Sequence, residues 1–187
     1  MGTEFKKMNL IEEQLDSTEV FNGNLLRVYK DRILLPNGAE STREYVKHVG
    51  AVAVVAMDSD GRIAIEHQFR YPFHDVLMEI PAGKLDFEDE DPLEAARREL
   101  REETGITATN FDYLGPFYPT CAYSTEVIHL YFAWDLQFGE RELDEDESIN
   151  VEMIDLSKMV QLIFEGKVPD GKTQAAILQV VARMNAE

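Results

Sequence analysis

The chain contains one cysteine in 187 residues, Cys121, which excludes any intramolecular disulfide and suits a reducing compartment. A cytoplasmic location is therefore expected. No run of about 18 apolar residues is present to span a bilayer, and the opening "MGTEFKKMNLIEEQ" lacks the apolar core of a secretion signal, so no membrane partner is expected. Basic residues are scarce. Eighteen Lys and Arg stand against 36 Asp and Glu, a formal charge of -18, and such a field repels phosphate backbones, so nucleic acid is not an expected partner. A phosphate-bearing substrate would need a local remedy, either bound cations or a few placed arginines. The four histidines, His48, His67, His74 and His129, lie far apart without H-x-x-x-H spacing and point to structural roles rather than zinc. Cys121 has no base near it in sequence and reads as a buried thiol, and Trp134 reads as core.

Also missing are internal repeats, low-complexity tracts and a linker rich in Pro, Gly or Ser, so the length implies one main domain. The division expected is a tail and small β element over residues 1–45, then the main domain over 46–187. From Val20 to Tyr45, "VFNGNLLRVYKDRILLPNGAESTREY" alternates short apolar runs with the turn chemistry "NGN" and "PNGAE", which predicts a small antiparallel unit. "VGAVAVVAM" and "RIAIEHQF" flank "DSDG" and predict a hairpin. "DVLMEI", "EVIHLYFAWDL" and "INVEMI" are further strands. "LSKMVQLIFEG" is a helix closing on Gly166, and "GKTQAAILQVVARMN" is another, with Ala175, Ile177, Leu178, Val181 and Ala182 along its inner face. Strands and helices interleave without a βαβ repeat, so a mixed α/β sheet packed between helices follows.

The most structured stretch is "GKLDFEDEDPLEAARRELREETGI", Gly83 to Ile106. Asp91, Pro92 and Glu94 form a helix start, with Asp as cap, Pro at the first helical position and Glu reaching back to the cap. Gly105 supplies the stop, so a helix from about Pro92 to Thr104 is predicted, with Leu93, Ala96 and Leu100 buried. On that helix Glu99, Glu102 and Glu103 stand at i, i+3 and i+4 and share one face. Like charges so close repel. They are either simply solvated or neutralised by a partner, and a hard divalent cation such as Mg²⁺ would suit carboxylate oxygens.

The string R-E-L-x-E-E-x-G-I, Arg98 to Ile106, with Gly83 and Glu90 before it, resembles the Nudix box, G-x5-E-x7-R-E-U-x-E-E-x-G-U, where U is aliphatic. The seven residues between Glu90 and Arg98 match, whereas six rather than five separate Gly83 from Glu90. The extra residue belongs in the loop "KLDFED", because within the helix it would rotate every later glutamate by about 100° off the shared face. "LPNG", "HVGAVAVVAM", "HQFRYP", "MEIPAGKLD" and "GKTQAAIL" extend the similarity, over roughly Phe21 to Val181, to the Nudix hydrolases that cleave ADP-ribose and related nucleoside diphosphate sugars.

The resemblance implies an α/β/α sandwich around a mixed sheet, preceded by the small N-terminal antiparallel β element, and a homodimer whose N-terminal strands help build the partner's substrate site. It implies Mg²⁺, with Mn²⁺ as substitute, held by Glu99, Glu103, the nearby Glu102 and the main-chain carbonyl of Ala82. Gly83 would let the backbone turn toward the ion, Glu90 and Arg98 would pair to hold the loop on the helix, and Gly105 would end it. The general base falls on the acidic segment "ELDEDESINVEMI", with Glu147 first and Glu145 second, and Glu102 completes the catalytic set. Arg70 would be a phosphate clamp or else a structural ion pair, and Glu79 would contact substrate or metal-bound water. Phe21 and Tyr29 would stack on the base or pack into the core.

In "FYPTCAYSTE" this chain departs from the pattern S-P-G-x-S-x-E usual in ADP-ribose hydrolases, since Cys121 and Ala122 replace the proline and glycine. ADP-ribose, cleaved to AMP and ribose 5-phosphate, is the expected substrate, with GDP-mannose or another nucleotide sugar as the alternative. Of another class is a non-catalytic Nudix-fold regulator that binds a nucleotide sugar, although such modules typically lose a ligand glutamate and all three are present here.

Overall fold

The computed structural model describes residues 10–142 and 148–186, which fall into two compact units. The first comprises residues 10–48 with Thr120–Thr125. Its strands β1 (Glu13–Asn22), β2 (Arg27–Leu34) and β3 (Glu40–Lys47) form an antiparallel sheet in that order. A turn at Asn37 and Gly38 joins β2 to β3; Gly38 has φ of 84° and donates its N–H to Leu35 O at 2.8 Å. The antiparallel unit agrees with the sequence reading, but β1 begins at Glu13 rather than Val20. All ten β1 residues are exposed, so the inside-outside alternation that marks a half-buried strand is missing from "EQLDSTEVFN". The 120–125 segment is tied to β3, with Tyr123 O accepting from Val46 N–H at 2.8 Å and Val46 O from Thr125 N–H at 3.0 Å. Cys121 lies in the turn of this segment and is exposed, not buried as its residue type suggested.

The second unit is built on β4 (Ala51–Ala56), every residue of which is buried. It pairs in parallel with β9 (Ile128–Phe138) and antiparallel with the short β7 (Ala82–Lys84), and β8 (Ile106–Phe117) completes the sheet order β7-β4-β9-β8. Alternate β4 side chains serve two cores. Val52, Val54 and Ala56 meet Ala95, Ala96 and Leu100 of helix α1 (Pro92–Thr104). Ala51, Ala53 and Val55 meet Met159 and Ile163 of α2 (Leu156–Phe164) and Ala176, Ile177 and Val180 of α3 (Gly171–Met184). The mixed sheet is thus sandwiched between α1 and the α2/α3 pair, the expected α/β/α arrangement. A second sheet, in the order β10-β5-β6, consists of Ile149–Asp155, Arg62–Arg70 and Asp75–Glu79, all antiparallel.

The "DSDG" turn does not make the predicted hairpin. Asp58 N–H donates to Arg62 O at 2.9 Å and Met57 bridges Ile63, but beyond that β4 and β5 enter different sheets, because β7 and β9 already occupy both edges of β4. The inner face of α3 is also rotated from the expected one: Thr173, Ala176, Ile177 and Val180 are buried, while Ala182 is exposed. A polar residue opens that face because Thr173 Oγ1 accepts the N–H of Ile80 at 2.9 Å, which satisfies the end of β6. Trp134 is half-buried and stacked on Phe132, 5.3 Å between ring centroids, rather than in the core.

Helix α1 has the predicted limits. Asp91 accepts from Leu93 N–H at 2.9 Å, Pro92 occupies the first helical position, and Gly105, at φ of 71°, donates its N–H to Arg101 O at 2.8 Å. Glu94 lies 3.6 Å from Arg97 instead of reaching back to the cap. The extra loop residue is accommodated before the helix in a turn where Asp86 N–H donates to Glu90 Oε2 at 2.7 Å and Glu90 N–H to Phe87 O at 3.2 Å.

Candidate active site

β7 sets the backbone of the site. Val52 opposes Gly83 and Ala53 opposes Ala82 across the ladder with β4, and Pro81 O accepts from Val54 N–H at 2.9 Å, so this segment is held to the most buried strand of the unit. Helix α1 then brings its glutamates onto it. Glu103, only 4% exposed, accepts the Ala82 N–H at 2.9 Å. The Glu99 carboxylate lies directly on Gly83, where a Cβ would fall 2.0 Å from its Cδ. Glycine serves this close approach and not a turn, because Gly83 is absent from the glycines with positive φ.

Arg98 organises the same face. Its Nη1 donates to Glu99 Oε1 at 2.7 Å and to Glu102 Oε2 at 3.2 Å; its Nη2 reaches Glu90 at 3.3 Å and Lys84 O at 3.2 Å. Burial alone would lower the Arg98 pKa, but Glu90, Glu99 and Asp86 more than offset that and raise it. Burial would likewise raise Glu90, yet the Asp86 N–H and Arg98 hold it below the usual carboxylate range. The expected Glu90–Arg98 pair is therefore present, and Arg98 also bridges two of the three proposed ligands.

Among the described residues no three Asp, Glu, His or Cys side chains converge into a ready ion site. The donor chemistry nevertheless fits a hard divalent cation. Glu99, Glu102 and Glu103 offer carboxylate oxygens from one helix face, a guanidinium already bridges two of them, and Gly83 leaves backbone open where Glu99 rests. Ala82 enters the cluster through its N–H.

A second group of charges adjoins this face. Arg70, at the end of β5, donates from Nε to Glu79 Oε1 at 2.7 Å and from Nη2 to Glu79 Oε2 at 2.8 Å, while Lys172 Nζ contacts the same Oε2. Asp170 Oδ2 stands 3.1 Å from Lys172 and also caps α3 by accepting from Thr173 N–H at 2.9 Å. Glu79 is 3% exposed, and burial would raise its pKa; Arg70 and Lys172 instead push it down to about 2. Besides its bond to Glu79, Arg70 is held charged by the nearby Asp170 and Glu103, which links the group to α1.

Glu99, Glu102, Glu103, Ala82, Gly83, Glu90 and Arg98 are thus brought together, with Arg70 and Glu79 beside them. Phe21 and Tyr29 belong to the other unit. Phe21 is 55% exposed rather than packed into a core, and Tyr29 stacks on Tyr45 at 5.7 Å and donates to Glu19 at 3.1 Å. Glu145 and Glu147 lie outside the described residues. Sequence reasoning missed Lys172 and Asp170. The signal was a lysine in the first turn of a helix, where the macrodipole disfavours a cation unless an acid faces it. It also missed Glu66, 3% exposed in mid-strand and directly opposite Glu79.

A family model described as "NUDIX domain" matches residues 47–175, and one described as "Nucleoside diphosphate sugar hydrolase N-terminal domain" matches residues 12–46. An ADP-ribose pyrophosphatase of Bacillus subtilis is 39% identical, the alignment covering 96% of this chain and 98% of that protein. A methanol dehydrogenase activator of Bacillus methanolicus is 40% identical over 90% of this chain and 92% of its own. The crystal structure of an ADP compounds hydrolase superposes with a TM-score of 0.84 at 21% identity, covering 96% of this chain and 97% of the other, and so shares the fold.

Proposed function

The chain belongs to the Nudix hydrolase family, and from that premise we propose that it is a Mg²⁺-dependent diphosphatase. Its substrate is a nucleoside diphosphate sugar, with ADP-ribose, split into AMP and ribose 5-phosphate, as the first choice. The observation that carries this reading is the Glu99 carboxylate resting on Gly83 beside the Glu103–Ala82 hydrogen bond, an oxygen-rich cluster locked to the central sheet. Glu99, Glu102 and Glu103, with the main-chain carbonyl of Ala82, would hold Mg²⁺ or, in its place, Mn²⁺. Such an ion, when bound, offsets the charge of the pyrophosphate and lowers the pKa of the attacking water.

The remaining roles fall to the chain itself. Arg98 and Glu90 orient the glutamates, and Arg70 binds a phosphate in bidentate fashion. Glu79 positions Arg70, and Glu147, or Glu145 in its place, accepts the proton of the attacking water. Phe21 and Tyr29 stack on the base, and a homodimer brings the N-terminal β element of each copy to substrate. The protein works in the cytoplasm. Two of these roles rest on specific observations: Arg70 has its fork of donors on a carboxylate, the geometry a phosphate would also match, and Phe21 offers an exposed ring.

Purified protein with Mg²⁺ should release a nucleoside monophosphate and a sugar phosphate from ADP-ribose, GDP-mannose or another nucleotide sugar, separated by ion-exchange chromatography. Silence across the whole panel would remove the enzymatic reading. GDP-mannose remains the competitor because Cys121 and Ala122 change the substrate loop. A second reading, regulation by binding, is favoured by the 40%-identical relative named as an activator. Tight ADP-ribose binding in Mg²⁺ without turnover would select it.

A further inference from the structure

Glu79 holds two cations, the second of which it shares with Asp170. Arg70 occupies both of its oxygens, and Lys172 shares Oε2. The two cations differ in access: the Arg70 side chain is 38% exposed and that of Lys172 10%. Lys172 is also paired with Asp170 at 3.1 Å, and the neighbouring Thr173 is tied to Ile80, which holds this turn of the helix to the end of β6. Its position is costly twice over, being buried and at the positive end of α3, and the acids facing it, Glu79 and Asp170, offset that.

We infer that Lys172 is a positioning residue that releases Arg70 to substrate: by neutralising Glu79 from within, it lets the Arg70 guanidinium leave that carboxylate and take a phosphate oxygen of the diphosphate. With one cation only, Glu79 would be left buried and uncompensated whenever Arg70 moved, and Arg70 would be captive. With two, the exchange trades one carboxylate partner for a phosphate partner of matching geometry. Arg70 is then both an ion pair in the free protein and a phosphate clamp in the complex. The inference rests on the proposed diphosphate substrate.

The test measures binding of the α,β-methylene analogue of ADP-ribose in Mg²⁺ by calorimetry, alongside KM and kcat for ADP-ribose. If wild-type protein neither binds the analogue nor cleaves any nucleotide sugar, the proposed function fails, separately from this inference. Given wild-type binding, Arg70→Ala and Lys172→Met should each weaken it by about tenfold or more, the size of a charge-assisted hydrogen bond. In Lys172→Met the loss should appear in KM with kcat nearly unchanged, and Lys172→Arg should restore wild-type binding. Should Lys172→Met not fold, Lys172→Gln replaces it, since its neutral amide can still reach Glu79. In a Glu79→Gln background, with no buried charge left to hold Arg70, the same Lys172 substitution should cost nothing further. Wild-type binding by the neutral Lys172 variant or by Arg70→Ala overturns the inference. So does a loss shared by Lys172→Arg, or one that persists undiminished in the Glu79→Gln background.

Discussion

Replacing Gly83 by alanine separates the fold from the site. The added Cβ would fall 2.0 Å from Glu99 Cδ and 2.2 and 2.3 Å from its two oxygens. The obstacle is the tip of a flexible side chain, so the backbone need not move; the carboxylate must. Gly83 has no positive φ to oppose a Cβ, and alanine there removes unfolded-chain freedom for a gain of about 0.4–1 kcal/mol. Against that stands the Arg98–Glu99 contact at 2.7 Å, a part-buried pair worth up to about 1 kcal/mol. The two nearly cancel, so the melting temperature should change by no more than a few degrees. Turnover should behave differently, because a displaced ligand or ligand support costs roughly 10–100-fold in metal affinity or activity. Circular dichroism would follow unfolding, and steady-state hydrolysis of ADP-ribose would be titrated with Mg²⁺ for both proteins. A shift of the Mg²⁺ dependence to higher concentration is the expected signature. Wild-type turnover with an unchanged Mg²⁺ curve would refute the claim that Glu99 works from its place on Gly83.

Glu103→Gln should fold, since the amide oxygen can still accept the Ala82 N–H, while metal-dependent turnover collapses by about a hundredfold or more; unchanged turnover would remove α1 from the chemistry. Glu79 gives a pH prediction. Its pKa is depressed in the folded state to about 2 from an ordinary 4.5, so its stabilisation is fully present above 4.5 and is lost as pH falls toward 2. The loss amounts to about 3 kcal/mol, and Glu79→Gln should flatten acid unfolding across that window when followed by urea titration at each pH. Leu100→Ala, which empties a site of zero exposure beneath α1, should cost about 2–5 kcal/mol by the same titration at neutral pH, with no change in the slope against urea.

Where local chemistry decides the outcome, the chain was legible. Asp91, Pro92 and Gly105 fixed both ends of α1, and the spacing of Glu99, Glu102 and Glu103 placed them on one face because an α-helix admits no other arrangement. Features governed by remote partners were not. The "DSDG" turn looks like that of a hairpin, but which strands pair beyond it depended on β7 and β9 claiming the edges of β4. Long β8, "ITATNFDYLGPF", carries no alternation clear enough to announce it, and β1 has no buried face at all. In the site, Arg70 and Glu79 could be named as candidates, but their bidentate pair could not, since it spans the β5–β6 connection. Lys172 lies 93 residues from Glu79, and sequence spacing carries no signal across such a gap. The need for glycine at position 83 was readable from the motif, whereas its cause, a carboxylate lying on the backbone, required the packed helix.

Arg98 has a consequence for how the protein comes into service. With Nη1 on Glu99 and Glu102 and Nη2 on Glu90 and the Lys84 carbonyl, it acts as a resident counterion for the acidic face. On the proposed function, the newly synthesised chain would complete its fold before meeting a divalent ion, and loading would be an exchange of partners rather than a step of assembly. Chelation should accordingly silence such a protein without unmaking it, and returning the ion should restore it without refolding.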